Sequence, residues 1–254
     1  MKLSVLGCSG SVPVPGNPAS GYLLSFPDVP SIILDLGPGT FAALQEIQDP
    51  CRAHVALTHL HADHCSDFPS LMVWRRFHPT APAAERNEFL GPAEAPVRLG
   101  RMSADADGDV DDMSDTFNAR AWREGEPERV DGVTITPFRT VHPTETYALR
   151  IADDHGRVLT YTGDSAYTDN LVNAAQGADV LMCEAAWGPT SEGKAPGMHM
   201  SGAEAGRVAR RAGVGRLVLV HLQPWGDTAA TEQAARAEFD GELTVARAGM
   251  VFDV

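Results

Sequence analysis

The residues best placed to do chemistry lie in one short segment, Thr58-His59-Leu60-His61-Ala62-Asp63-His64. His59 and His61 are two apart, so in an extended segment both project to the same side and can grip one ion. Asp63 and His64 come after the chain turns and can face a second ion. Imidazole plus carboxylate is the donor set that suits zinc or a similar divalent cation. A lone His on a strand reads as structural, but H-x-H-x-D-H is too dense for that.

A cation needs more ligands than this segment supplies. His142, Asp164 and His221 are the further candidates. His142 follows the strand candidate from Val133, Asp164 follows Val158–Tyr161, and His221 ends the apolar run Leu217–Val220. Each sits at the carboxyl end of a strand, where α/β sheets place their sites.

The elements that must position these groups alternate along the chain. Strands are expected at Met1–Leu6, 22–24, 31–34, 54–58, 133–136, 148–151, 158–161, 180–183, 217–220 and 243–246. Helices are expected at 41–48, 70–77, 171–176, 202–212 and 228–239. Asp35-Leu36-Gly37-Pro38-Gly39-Thr40 reads as a turn, and 79–131 as the least regular stretch. The 254 residues are read as one α/β domain, 1–254, large enough to bury a core without disulfides.

Composition excludes several function classes. The net charge is −14, with lysine only at Lys2 and Lys194, so an extended nucleic acid is a poor partner. A small anionic substrate remains compatible, because bound cations supply local positive charge. No apolar run approaches the ~20 residues of a membrane span. The apolar stretch before Cys8 is too short for a signal peptide, and a cytoplasmic location is expected. Cys8, Cys51, Cys65 and Cys183 form no C-x-x-C pair and read as small buried hydrophobes. Gly7-Cys8-Ser9-Gly10 fits no phosphate-loop pattern, and the acidic run 105–112 fits no calcium-loop register.

The order H-x-H-x-D-H, His, Asp, His resembles the metallo-β-lactamase superfamily over nearly the whole chain. The resemblance implies an αββα sandwich of two mixed β-sheets flanked by helices. It implies that His59, His61 and His142 bind one metal, that Asp63, His64 and His221 bind the other, and that Asp164 bridges them. Two divalent ions are implied, zinc by default, with manganese or iron accepted by the same donors. A water or hydroxide between ions about 3.5–4 Å apart would be the nucleophile, which also makes Asp63 part of the catalytic machinery. Dimers are common in this superfamily, so a homodimer is compatible.

Asp35-Leu36-Gly37-Pro38-Gly39-Thr40, Gly91-Pro92, Cys183-Glu184-Ala185 and His199-Met200-Ser201 look like the tRNA 3′-processing endonuclease branch. That likeness implies His199, oriented by Glu184, as the acid that protonates the leaving oxygen. Those enzymes carry a long arm between the third His and the bridging Asp, and here that interval is too short to hold one. Val5–Ser11, Pro18–Leu24, Val73-Trp74-Arg75-Arg76, His142-Pro143-Thr144-Glu145 and 235–241 resemble an actinobacterial group described as atypical cyclic-nucleotide phosphodiesterases. The expected activity is thus hydrolysis of small phosphodiesters, with cyclic nucleotides such as cyclic AMP foremost. RNA 3′-end cleavage and a non-catalytic metal-binding module are the alternatives. Arg75, Arg76 and Trp225 are candidate substrate contacts, with structural roles open beside them. Trp74 reads as core packing.

Overall fold

A computed structural model describes residues 1–254. The chain lays down β1 (Lys2–Gly7), β2 (Gly21–Ser25), β3 (Ser31–Leu36), α1 (Thr40–Gln45), β4 (Ala53–Ala56), α2 (Ala62–Cys65), α3 (Phe68–Phe77), β5 (Asn87–Gly91), α4 (Ala95–Ser103) and β6 (Phe117–Ala121). Then come β7 (Glu128–Val130), β8 (Val133–Arg139), β9 (Tyr147–Asp153), β10 (Val158–Tyr161), α5 (Asp169–Ala175), β11 (Val180–Glu184), α6 (Gly202–Ala212), β12 (Arg216–Val220), α7 (Thr228–Glu238), β13 (Glu242–Val245) and β14 (Val251–Asp253).

These form two seven-stranded mixed sheets, ordered β14-β1-β2-β3-β4-β5-β6 and β13-β12-β11-β10-β9-β8-β7. Three apolar clusters define the layers. One lies between the sheets and draws on both, with Leu3, Tyr22 and Leu34 meeting Ile135, Leu149 and Met182. A second packs α5, α6 and α7 on the outer face of the second sheet. The third packs α1, α3 and α4 on the first sheet through Leu44, Phe68, Leu71 and Leu99. Successive strand residues therefore alternate between inter-sheet and helix-facing cores, as a pleat requires. This is the expected αββα sandwich.

The stretch 79–131 departs from the irregular reading, because it holds β5, α4, β6 and β7. β5 and β6 are parallel strands stacked beside β4. Their sequences, Asn-Glu-Phe-Leu-Gly and Phe-Asn-Ala-Arg-Ala, carry too few β-branched residues to announce strands. Pairing and burial against Phe68 decide them instead. No helix is long and apolar enough to cross a membrane.

Candidate metal centre

The site forms where strands of both sheets end. β4 runs into His59 and His61, and α2 starts directly after His61, turning Asp63 and His64 inward. His142 lies between β8 and β9, Asp164 follows β10, and His221 follows β12. His59, His61, His142 and Asp164 present ligand atoms within 4.8 Å of one another. Asp63, His64, Asp164 and His221 form a second such set. All seven sequence-expected ligands thus come together, and Asp164 belongs to both sets.

Hydrogen bonds at the far side of the rings fix which nitrogen faces the cluster. The Nδ1–H of His142 donates to the Met198 carbonyl at 2.7 Å, leaving Nε2 directed inward. His64 uses Nδ1 on Asp35 Oδ2 at 2.8 Å. The Thr58 hydroxyl donates to Asp35 at 2.8 Å and can accept from His59 Nδ1 at 3.0 Å. The inward nitrogens then crowd: His61 Nδ1 stands 3.2 Å from His59 Nε2 and 3.0 Å from His142 Nε2. Burial, followed by neighbouring imidazoles, holds His59 and His61 below the usual imidazole range, so their lone pairs are free. In the second set, buried His64 Nε2 and Asp164 Oδ1 stand 3.3 Å apart, and neither makes a regular hydrogen bond. Converging ring nitrogens around a buried carboxylate are what a cation satisfies, so the residues fit two divalent ions.

The charges agree. Burial pushes the Asp164 carboxyl up, but His221 and His64 outweigh it and keep it ionised. Asp63 behaves alike, with His64 and His221 overcoming burial. For His64, burial disfavours the charged ring, yet Asp164, Asp63 and Asp35 together raise its pKa well above the ordinary value. In the cation-free protein a proton on His64 thus takes the place that a metal ion would hold.

The sequence marks Asp35 as part of a turn and of a segment that looks like the endonuclease branch, with no role of its own. It is in fact fully buried near the end of β3, at positive φ (58°), and it holds four donors. Besides His64 and the Thr58 hydroxyl, these are the Thr58 N–H at 2.7 Å and the Tyr161 hydroxyl at 2.9 Å. A charge closing the apolar run Ser31–Leu34 was the available signal. Ser11, also at positive φ (66°), gives its N–H to Asp63 Oδ2 at 3.0 Å, which nothing in its sequence context announced. Glycines permit the close approaches: a Cβ on Gly37 would sit 2.0 Å from the Asp63 carbonyl oxygen.

Beside the metal ligands, His199 Nδ1 meets Glu184 Oε1 at 2.9 Å. Glu184 is wholly buried and also accepts the backbone N–H groups of Ser165 and Ala186. Burial pulls the His199 pKa down, but Glu184 and then Asp164 outweigh it and raise it to about 9. The His199 ring stacks 5.5 Å from His221.

The family model described as a beta-lactamase superfamily domain matches residues 31–222. This chain belongs to that superfamily. It is a metallo-hydrolase of the β-lactamase fold, with paired His/Asp sets able to hold metal ions. An uncharacterized protein of Mycobacterium leprae, ML1173, is 47% identical over 254 residues, all of this chain and 89% of that protein. The probable metallo-hydrolase YhfI of Bacillus subtilis is 31% identical over the full length of both chains. Its crystal structure superposes with a TM-score of 0.86, covering 99% of this chain and 98% of that one. Ribonuclease Z of Natronomonas pharaonis is 28% identical across 305 aligned positions, covering 100% of this chain and 98% of that protein.

The surroundings of Arg75 and Arg76 match the structural role that the sequence left open for them beside substrate contact. Arg75 is 1% exposed, and its guanidinium is engaged by Thr116, Asn87 and the Cys51 and Glu85 carbonyls while lying over Phe117. It bolts α3 to β5 and β6. Arg76 pairs with Asp111 and Asp115 and so anchors part of the acidic 103–115 loop. Trp225 is 66% exposed, its indole N–H donating to Gln223, with no ring contact to the imidazole cluster. Trp74 is half-buried against Phe41 and His78.

Proposed function

We propose that this protein is a dinuclear metal-dependent phosphodiesterase acting on small phosphodiesters, cyclic nucleotides such as cyclic AMP foremost. The observation that carries the reading is the Glu184–His199 pair set directly against the two ligand sets. A phosphodiester with an alkoxide leaving group uses such a pair, because that group departs poorly without a proton, and the likeness to ribonuclease Z favours a phosphodiester over an acyl substrate. When bound, the cations supply Lewis acidity toward the phosphoryl oxygens and make water a stronger nucleophile.

The chain's own residues do the rest. Asp164, shared by both sets, would be a ligand to both cations. Asp35 and Met198 set the tautomers of His64 and His142, so that each ligand nitrogen is presented without rearrangement. Glu184 holds the Nδ1 proton of His199, which leaves Nε2 free to carry the proton given to the leaving oxygen.

The likeness to ribonuclease Z supports cleavage of phosphodiesters and keeps RNA as the second reading. Against it stand the net charge of −14 and the interval 142–164, most of which β9 and β10 use. At 305 aligned positions against 254 residues, that relative also carries segments this chain lacks. The test is turnover of cyclic AMP, a precursor tRNA transcript and a chromogenic diester by purified, metal-analysed protein. Cleavage of the transcript with no action on cyclic AMP would reverse the order of the two readings. Inertness toward all three substrates in metal-loaded protein would leave the non-catalytic module.

A further inference from the structure

The segment between Glu184 and His199 carries a ring and a cation for which the metal centre has no use. The Trp187 ring meets the His199 imidazole at 4.9 Å between centroids, the planes at 87°. The Lys194 ammonium lies over that indole, 5.7 Å from its centroid. Lys194 is one of only two lysines in a chain of net charge −14, yet its ammonium rests on an aromatic ring rather than a carboxylate. The segment is pinned where it touches the site. The Trp187 backbone N–H donates to the Met200 carbonyl at 2.9 Å, and the Met198 carbonyl accepts from His142 Nδ1. Ser191 is tied to Glu204. The tip that bears Lys194 is exposed, and Gly193 and Gly197 turn it at φ near 73°.

We propose that Trp187 is the stacking platform for the substrate's nucleobase and that Lys194 is its displaceable cover. The inference rests on the phosphodiesterase reading above. If His199 protonates the leaving oxygen, then in a cyclic nucleotide that oxygen belongs to the ribose. The base is carried by the same ribose, so it lies on the leaving-group side of the phosphate, the side that His199 serves. The aromatic ring in contact with His199 there is Trp187. Trp225 and Trp74 make no contact with His199 and do not compete for this role. An exposed cation–π contact is weaker than base–aromatic stacking, so an arriving base takes the indole face from the ammonium. The freed ammonium keeps three donors for ring nitrogens or carbonyls at the base edge. The substrate class is then a nucleoside cyclic phosphodiester, selected by its base as well as its phosphate.

The test compares cyclic AMP and cyclic GMP with trimethylene phosphate, a six-membered cyclic diester that has no base. Metal-loaded wild type, Trp187→Ala, Trp187→Phe and Lys194→Met are each assayed for kcat/KM, with metal content measured. The quantity read is the preference for nucleotide over base-free diester. Trp187→Ala should cut that preference about 5–150-fold, chiefly through the nucleotide KM, matching the loss that base–aromatic stacking gives on alanine substitution. Trp187→Phe should restore most of it, and Lys194→Met should cut it a few-fold. AMP, the ring-opened product, should quench tryptophan emission in wild type and much less in Trp187→Phe. An equal fall on both diesters in Trp187→Ala would overturn the proposal and leave Trp187 as a positioning residue for His199. An unaltered preference would overturn it as well. Wild type that hydrolyses only the base-free diester defeats this inference while the phosphodiesterase reading stands. Wild type that hydrolyses neither defeats that reading, and this inference with it.

Discussion

His199 Nδ1 and Glu184 Oε1 lie 2.9 Å apart, and the two other hydrogen bonds to that carboxylate come from the backbone of Ser165 and Ala186. The imidazole is therefore held by a carboxylate that cannot itself turn. His199→Ala should keep both cations and fold normally, yet lose roughly 10²–10⁴-fold in turnover on a diester with an alkoxide leaving group. The loss should be far smaller with p-nitrophenolate, which departs without a proton. Equal losses on the two substrates would remove the acid role. Loss of metal would make His199 a ligand instead.

The same pair sets a pH dependence. His199 must be protonated to act as the acid, so the rate should fall as pH rises through its pKa. That pKa is about 9 without cations, because Glu184 and then Asp164 outweigh burial, and the positive charge of bound cations should bring it lower. Glu184→Gln removes the largest raising influence, so the basic limb of kcat/KM should move to lower pH. Stability follows the same sign in cation-free protein. The folded pKa is raised above the ordinary 6.5, so the pair's contribution is complete below pH 6.5 and lost as pH rises through about 9. Thermal melts of cation-free wild type and Glu184→Gln should converge across that window. A difference constant with pH would detach His199 from Glu184.

The ligand set was legible because its members cluster in sequence or close strands, as His59 to His64, Asp164 and His221 do. The helix-and-strand alternation likewise placed most of the sandwich. The misses share a physical cause. Asp35 and Ser11 act through contacts to residues far along the chain, and local pattern carries no such information. β5 and β6 are strands by pairing rather than propensity. Arg75 sits beside the metal loop in sequence, but α3 turns its side chain toward β6, on the helix-packed face of the first sheet.

Asp164 offers a separate test of the two-cation site. It is 2% exposed and belongs to both ligand sets, and its Oδ1 makes no regular hydrogen bond. Elemental analysis of metal-replete wild type should give two divalent ions per chain. Asp164→Ala should hold fewer, because the shared carboxylate that offsets cation–cation repulsion is gone, and its turnover should nearly vanish. Two tightly held ions and near-normal turnover in that variant would take Asp164 out of the bridging role.

Cation binding should also release protons. His64 is held protonated without cations because Asp164, Asp63 and Asp35 overcome burial. A metal ion at its Nε2 must displace that proton. Titrating zinc into cation-free protein at pH 7, in buffers of different ionisation enthalpy, should show net proton release by calorimetry. His64→Ala should release less. Identical heats in all buffers would show that His64 is already neutral.

Asp35 links both ligand sets, since it holds His64 directly and His59 through the Thr58 hydroxyl. Its four donors leave no position for a donor of its own. Asp35→Asn would turn an NH2 toward one of those donors and force His64 or Thr58 to rotate. The orientation of a ligand ring is then lost while the ligand remains, a change that typically costs 10–100-fold in metal affinity. Chelator competition should show that weakening, with the second set losing more because His64 is bonded directly. Tyr161→Phe removes one donor that touches no ligand, and should weaken binding far less. If Asp35→Asn melted earlier when cation-free yet bound metal as tightly as wild type, Asp35 would be only a bolt between the sheets. A parallel loss in Asp35→Asn and Tyr161→Phe would place the effect in the shared hydrogen-bond network rather than in the aim of His64.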